Sequence, residues 1–482
     1  MNLVQKISLN SMLFAFVFFA SIFFTFADKS GSYMYNLEPE FLTFSSVLLI
    51  SIILNHYYKS IFLEILIFYV VVFFFFRICL LTYPNIPNQF LLNDIHADDI
   101  KNSFFILTVC FISFVFSILI VNPRVNRNLP ELQSKLVFSV LLFCFFMVSI
   151  NFYISTAIGG DTRLLGTAAI IFTIFSSDNM VFLSIVTFVL CSKNDLKKYW
   201  YLISPMIFIF VLNSLYNGTK AGIFLYILYF LMATWTLKGV IRLSLLQLIT
   251  SAFILFFGII LFFIGSYLRV FSTGSSTLID SLAKIPSIDA ETIQGTLFAL
   301  SYRIGYFDDF VNFVSNEIYW SVVTFQNYFQ AIVDKLTPGF DLFGVAFVSR
   351  LFHEAKKLGH PPEDGVMNSI QMTGFAENYI LFGYFVIITY IVILLFFKYS
   401  LKFFKQLSPI SSGLFSTILV HLYWKWIEGY GYDMLLINEL AYRLIFLLFV
   451  ITFILREIKI TPININFNSK NAYKNSFKEK NR

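Results

Sequence analysis

The chain has 482 residues, of which 58% are hydrophobic, 20% aromatic and 13% charged, with a net charge of +6. A soluble globular chain carries about 25% charged residues to solvate its surface. Half that fraction excludes a single soluble domain, a disordered chain and a disulfide scaffold. The small positive excess sits at chain ends and short loops, which argues for membrane topology and no nucleic-acid partner.

A bilayer core of about 30 Å takes about 20 apolar residues per helix. About twelve runs meet that need, near 7–27, 41–57, 61–83, 103–121, 135–155, 168–191, 200–216, 221–237, 245–267, 377–398, 409–427 and 435–455. The first is long, and Asp28-Lys29-Ser30 after it lacks a small-residue cleavage pattern, so it reads as a span and not a signal peptide. Cys79, Cys110, Cys144 and Cys191 all fall in apolar runs and read as small buried hydrophobes.

Lys and Arg are retained on the cytoplasmic side. With the N-terminus inside, the inner segments hold thirteen basic residues, among them Lys59, Arg124, Lys238, Arg242 and Lys398, and the short outer loops hold four. The polar tail 456–482 adds more basic residues inside. The expectation is a polytopic all-α membrane protein with both termini cytoplasmic. It divides into spans one to nine over 1–267, an extracytoplasmic loop over 268–376, spans ten to twelve over 377–455, and a cytoplasmic tail over 456–482.

Long loops in compact proteins are usually functional. In this one Leu297, Leu300, Ile304, Phe307, Val311 and Val314 recur at steps of three and four, one stripe of a helix that would lie on the membrane or cap the bundle. Asp309 falls on its opposite face, with Arg303 and Asp308 at the margins. A second aromatic helix is expected over Trp320–Ile332, ending before Pro338-Gly339.

Ionisable residues in a membrane cost free energy and mark paths or sites. Most collect at the outer ends of spans: Arg77, Arg163, Lys220, Arg269, Lys425 and Glu428, and Glu439–Arg443, which are spaced to pair on one helix face. Taken singly, Arg77 and Lys425 read as side chains that snorkel to the headgroups. Asp178 is the exception, near the middle of span six, where it reads equally as a coupling-ion site or the cap of a broken helix. Several cations at an outer membrane surface can bind a diphosphate, Arg through its planar fork and Lys as a point charge. A hydroxyl acceptor then needs a base such as a carboxylate or His. No HExxH or comparable ligand spacing occurs, so no metal or other cofactor is expected.

The stretch Gly374-Phe375-Ala376-Glu377-Asn378-Tyr379-Ile380-Leu381-Phe382-Gly383, opening a span after the long loop, resembles a motif of the O-antigen and capsule polymerase family. Asn217-Gly218-Thr219-Lys220-Ala221-Gly222 resembles the family's basic Gly turn between adjacent spans, and Arg163-Leu164-Leu165-Gly166 its earlier Arg/Gly loop. Gly265–Arg269 and Tyr302–Asp309 resemble its remaining Arg positions. Lys220 stands where Arg is usual, and Val386 where a second Gly is expected. The resemblance implies a type C glycosyltransferase-like bundle of about twelve helices in a bacterial inner membrane. It would join undecaprenyl-diphosphate-linked oligosaccharide repeats at the outer face, without cofactor, and with a chain-length regulator as a further partner. It further implies that Arg163, Lys220, Arg269 and Arg303 bind diphosphate. Glu377 would act as base, with Asp309 and His353 the other candidates. The rival readings are an O-antigen ligase, where Glu377-Asn378 takes the place of a His-Asn pair, and a flippase or ion-coupled transporter.

Overall fold

The computed structural model describes residues 7–26, 37–81, 97–125, 134–157, 174–190, 193–216, 221–239, 242–243, 306–336, 342–343, 348, 351–352, 373–404 and 409–429. They form a helical membrane protein. Six helices are long and apolar enough to cross a bilayer: Leu9–Phe26, Glu38–Tyr58, Ile61–Cys79, Asp98–Val121, Lys135–Ala157 and Gly374–Phe403. The expected spans near 245–267 and 435–455 lie outside the described residues.

In chain order the helices are α1 (Leu9–Phe26), α2 (Glu38–Tyr58), α3 (Ile61–Val70), α4 (Phe76–Leu81), α5 (Ala97–Val121), α6 (Ser134–Ala157), α7 (Ser177–Leu190), α8 (Lys193–Tyr216) and α9 (Ala221–Lys238). Then come α10 (Tyr306–Ser315), α11 (Phe325–Leu336), α12 (Gly374–Phe382), α13 (Val386–Phe404) and α14 (Pro409–Glu428). A two-residue antiparallel pairing joins Ile7–Ser8 to Arg242–Leu243. The bundle is built from neighbouring pairs: α1 on α2, α2 on α5, α5 on α13, α6 on α7 and α8, and α14 on α9 and α13.

Several polar contacts mark the two ends of the bundle. At one end Asn55 Nδ2 donates to Asn10 Oδ1 at 3.3 Å, and Lys398 Nζ donates to the Val121 carbonyl at 2.7 Å. Arg242, Lys59 and Arg124 belong to this end. At the other end, α10 and α11 from the long loop dock on the spans.

The loop helices do so with the faces their sequence marks. On α10, Phe307, Val311 and Val314 are buried, as the stripe requires, and Phe310 joins them. This helix caps the bundle, packing on α5, α12, α4 and the segment Val71–Phe75 between α3 and α4. The second loop helix differs from expectation. A 3-10 turn over Glu317–Val322 ends at Val323, and α11 starts afresh at Phe325. Thr324 Oγ1 accepts from the Asn327 N–H at 3.2 Å, a side-chain cap that restarts the helix.

Two breaks position the far end. Between α3 and α4 the chain makes a π-turn over Val71–Phe75. Such bulges shift the helix register. Phe76 is left exposed and Arg77 fully buried. The second break is at Gly383, whose φ is +56°. That conformation suits glycine and strains other residues. Phe114 touches Phe375 on α12 and Tyr390 on α13, with ring centroids 6.2 and 4.4 Å away. Fifteen residues of straight helix would hold those two rungs about 22 Å apart. The chain therefore changes direction at Gly383, and α12 is a short helix folded into the bundle, not the first turns of a straight span.

Candidate functional site

Thr373 caps α12, its Oγ1 accepting from the Ala376 N–H at 3.2 Å. Gly374 lets this helix press on the end of α14, since a Cβ there would collide with the Trp426 carbonyl oxygen. One turn later Glu377 is 1% exposed. Its Oε1 accepts from the Tyr328 hydroxyl of α11 at 2.5 Å. Asn378 is equally buried and donates to the Gly374 carbonyl at 2.6 Å.

The neighbouring cap helix brings two further clamps. Arg77 Nε and Nη2 both donate to Asp308 Oδ2, at 3.0 and 2.6 Å. Arg77 therefore does not snorkel: it is 0% exposed and bonds a carboxylate 231 residues away in the chain. Asp308 Oδ1 is buried with no hydrogen-bond partner among the described residues. On the same helix the Tyr306 hydroxyl donates to Glu428 Oε1 at 3.1 Å. Glu428 Oε2 accepts from Lys425 Nζ at 3.0 Å and from Trp424 Nε1 at 3.2 Å. Lys425 is also buried and not at the headgroups. Stacked Phe73 and Tyr306, 5.1 Å apart, and Tyr69 on Trp424, 5.4 Å apart, pack around this cluster.

Asp309 sits beside Asp308 but is only half-buried. Burial first, then the adjacent Asp308 charge, push its carboxyl up to about 8 against the pull of Arg77. Burial likewise lifts the Asp308 carboxyl above the usual carboxylate range, and Arg77 pulls it back. A carboxyl with a pKa near neutral can take or give a proton at working pH.

The far side of α11 is different in kind. Phe325 and Phe329 are 65% and 64% exposed, and the Phe325 ring lies 5.9 Å from that of Phe382. From there an exposed stripe runs down α13 through Ile388, Val392, Phe396, Tyr399 and Phe403, while Val386, Tyr390, Leu394, Phe397 and Leu401 are buried. An exposed apolar stripe on a bilayer-length helix is its lipid face. So α11 holds Glu377 by one face, through Tyr328, and continues the lipid face by the other.

Of the residues singled out in the sequence, Glu377 and Asp309 come together at this end, on α12 and α10, which pack on one another. Arg163, Lys220, Arg269, Arg303 and His353, with Glu439 and Arg443, lie outside the described residues. Asp178 is not mid-helix. It stands in the first turn of α7, where an acid favours the helix dipole. The chain is broken just before it, and Asn179 and Asn151 donate to the Ile174 and Phe175 carbonyls at 2.9 and 2.6 Å. The sequence does not single out Tyr306, Tyr328 and Asp308 as partners. The signal for the tyrosines is their place on the apolar faces of loop helices, since a buried Tyr hydroxyl usually finds a partner.

No family model matches the chain, and neither a curated protein nor a solved structure does.

Proposed function

We propose that the protein is a lipid-diphosphate-dependent polymerase of bacterial surface polysaccharide, with about twelve spans in a type C glycosyltransferase-like bundle of the inner membrane. The observation that carries this reading is the position of Glu377: a buried carboxylate held on one face of α11, whose other face continues the lipid-facing stripe of α13. A substrate with its tail in the bilayer and its reacting carbon at the interface needs that adjacency. The acceptor hydroxyl on a new repeat attacks the anomeric carbon of the growing glycan. The carbon–oxygen bond to undecaprenyl diphosphate breaks, and the hydroxyl proton passes to a carboxylate. Arg163, Lys220, Arg269 and Arg303 are the cations assigned to the departing diphosphate.

The base is a choice between two described carboxylates. Glu377 is fixed and enclosed. Asp309 is partly exposed beside the Arg77–Asp308 pair. We assign the base to Glu377, with Asp309 as the alternative. Reconstitution with purified lipid-linked repeats tests the function: polymer without net translocation supports it, and translocation without polymer excludes it. In the same assay Asp309→Asn lowers turnover by about a hundredfold or more if it is the base.

A transporter is the second reading, and one observation favours it: the broken, asparagine-capped chain ahead of α7, a feature of helices that line carrier sites. The translocation arm of the assay decides between them.

A further inference from the structure

At the end of the bundle opposite Glu377, the turn 58–61 and the segment 122–125 enclose a cleft of about 260 Å³. A water molecule occupies about 30 Å³ of liquid, so the cleft has room for a phosphodiester and its hydration. Its lining carries two cations, Lys59 and Arg124, and no carboxylate among the described residues. Both are exposed, and they come from different elements.

The walls are fixed. Lys59 ends α2 and Asn122 ends α5 in left-handed conformation, with φ of 51° and 48°. Their N–H groups close the last helical turns on Asn55 and Ile118, each at 2.8 Å. Asn55 Oδ1 also accepts from the Ser60 N–H at 3.1 Å. Ser60 then caps α3, its Oγ accepting from the Leu63 N–H at 3.4 Å, and the buried Glu64 in the first turn of that helix already answers its dipole.

Helix C-termini attract cations, and that alone could place Lys59 and Arg124. For α5 the need is already met, because Lys398 Nζ bonds the Val121 carbonyl at its end. Arg124 is then surplus to the dipole. The depth is also marked. Tyr57 and Tyr58 beside the cleft are 76% and 56% exposed, and Ile120 on α5 is 65% exposed. Tyrosines bordering an exposed apolar surface mark the interface between acyl chains and water.

We propose that this cleft binds a phosphate ester, and that the source is the headgroup of an anionic phospholipid in the leaflet at this end. Lys59 and Arg124 neutralise the phosphate from the two walls of the cleft. The site is separate from the glycan chemistry and does not depend on it.

The test is native mass spectrometry of the purified full-length protein in detergent, with dioleoyl phosphatidylglycerol and dioleoyl phosphatidylcholine at equal concentration. The anionic phosphatidylglycerol is expected to be retained on the order of tenfold better. The exchange Lys59→Gln with Arg124→Gln is expected to remove that preference while the protein elutes as before. Equal retention of both lipids, or an unchanged preference in the double variant, overturns the proposal. Inorganic phosphate at millimolar concentration supplies the other arm. If it displaces phosphatidylglycerol, the lipid phosphate is the bound group. If it raises thermal stability in the wild type alone and no lipid is retained, the lipid source is overturned and the ligand of the anion site is a soluble phosphate ester.

Discussion

The two ends of the bundle hold their charges in different ways. At the end near Glu377 two cations lie inside the protein, and each bonds a buried carboxylate: Arg77 to Asp308, Lys425 to Glu428. At the opposite end Lys59 and Arg124 face a cleft and solvent, and no carboxylate among the described residues lines that cleft. A buried charge in a membrane protein is costly unless paired, so the first end is committed to one arrangement. An exposed cation costs little, because water solvates it. The comparison separates an end whose cations are buried against the acids of its cap helices from an end whose cleft is lined by exposed cations, with the acid Glu64 buried behind it in α3.

The largest effect that could break this comparison is loss of one partner from the buried pair. Arg77→Met leaves Asp308 buried beside Asp309 without its guanidinium, and is expected to cost about 3–5 kcal/mol. The measurement is the apparent melting temperature of the purified protein. Adding Asp308→Leu should restore most of the loss, because the cost is that of an uncompensated charge. If the single variant melts like the wild type, α10 is not held by this pair.

Next comes Gly374. An alanine there places its Cβ against the Trp426 backbone, so α12 or α14 must shift. Overpacking of this kind costs about 1–3 kcal/mol. Gly383→Ala meets nothing within 4 Å, and its cost is the backbone conformation alone, about 1–3 kcal/mol. Together the two should loosen the grip on Glu377, read as faster proteolysis of the α11–α12 region.

A pH series sharpens the same contrast. The Asp309 carboxyl is raised to about 8 in the folded protein against 3.8 for an ordinary aspartate in water. Between those values the folded state binds the extra proton, so the Asp309 contribution to stability falls as pH rises from about 4 to about 8. Asp309→Asn should flatten that slope. A wild-type profile already flat over this range contradicts the assignment. The smallest effect belongs to the other end. Arg124→Gln should change stability by less than about 0.5 kcal/mol in lipid-free detergent.

What the sequence could show follows from contrast. The cap helix α10 is legible because one face is apolar and the other polar, and the stripe through Phe307, Val311 and Val314 is the buried one. The six bilayer-length helices are legible by length. Their faces are not: on α13 the buried Leu394 and the lipid-exposed Val392 are equally apolar, because lipid and core offer the same solvent. The pairing of Arg77 with Asp308 is hidden for another reason. No local pattern links residues 231 apart, and the π-turn that swings Arg77 inward leaves no mark in a run of phenylalanines. Glu377 and Gly383 stand out by resemblance, and the structure gives Gly383 a physical reason in its positive φ. The helix break at Val323 leaves a local mark, since Ser321-Val322-Val323-Thr324 is rich in β-branched residues and ends in the Thr that caps α11; the aromatic residues on either side mask it.

The account rests on the cap of α10 and α11 facing the outside of the cell while the Lys59–Arg124 cleft faces the cytoplasm. Single cysteines at Ile318, which is 85% exposed on the cap, and at Arg124 test this in a cysteine-free background. An impermeant thiol reagent is applied to intact spheroplasts and then after permeabilisation. The account predicts labelling at position 318 in intact cells and at 124 only after permeabilisation. Labelling at 124 from outside, with 318 protected until the membrane is opened, would contradict it.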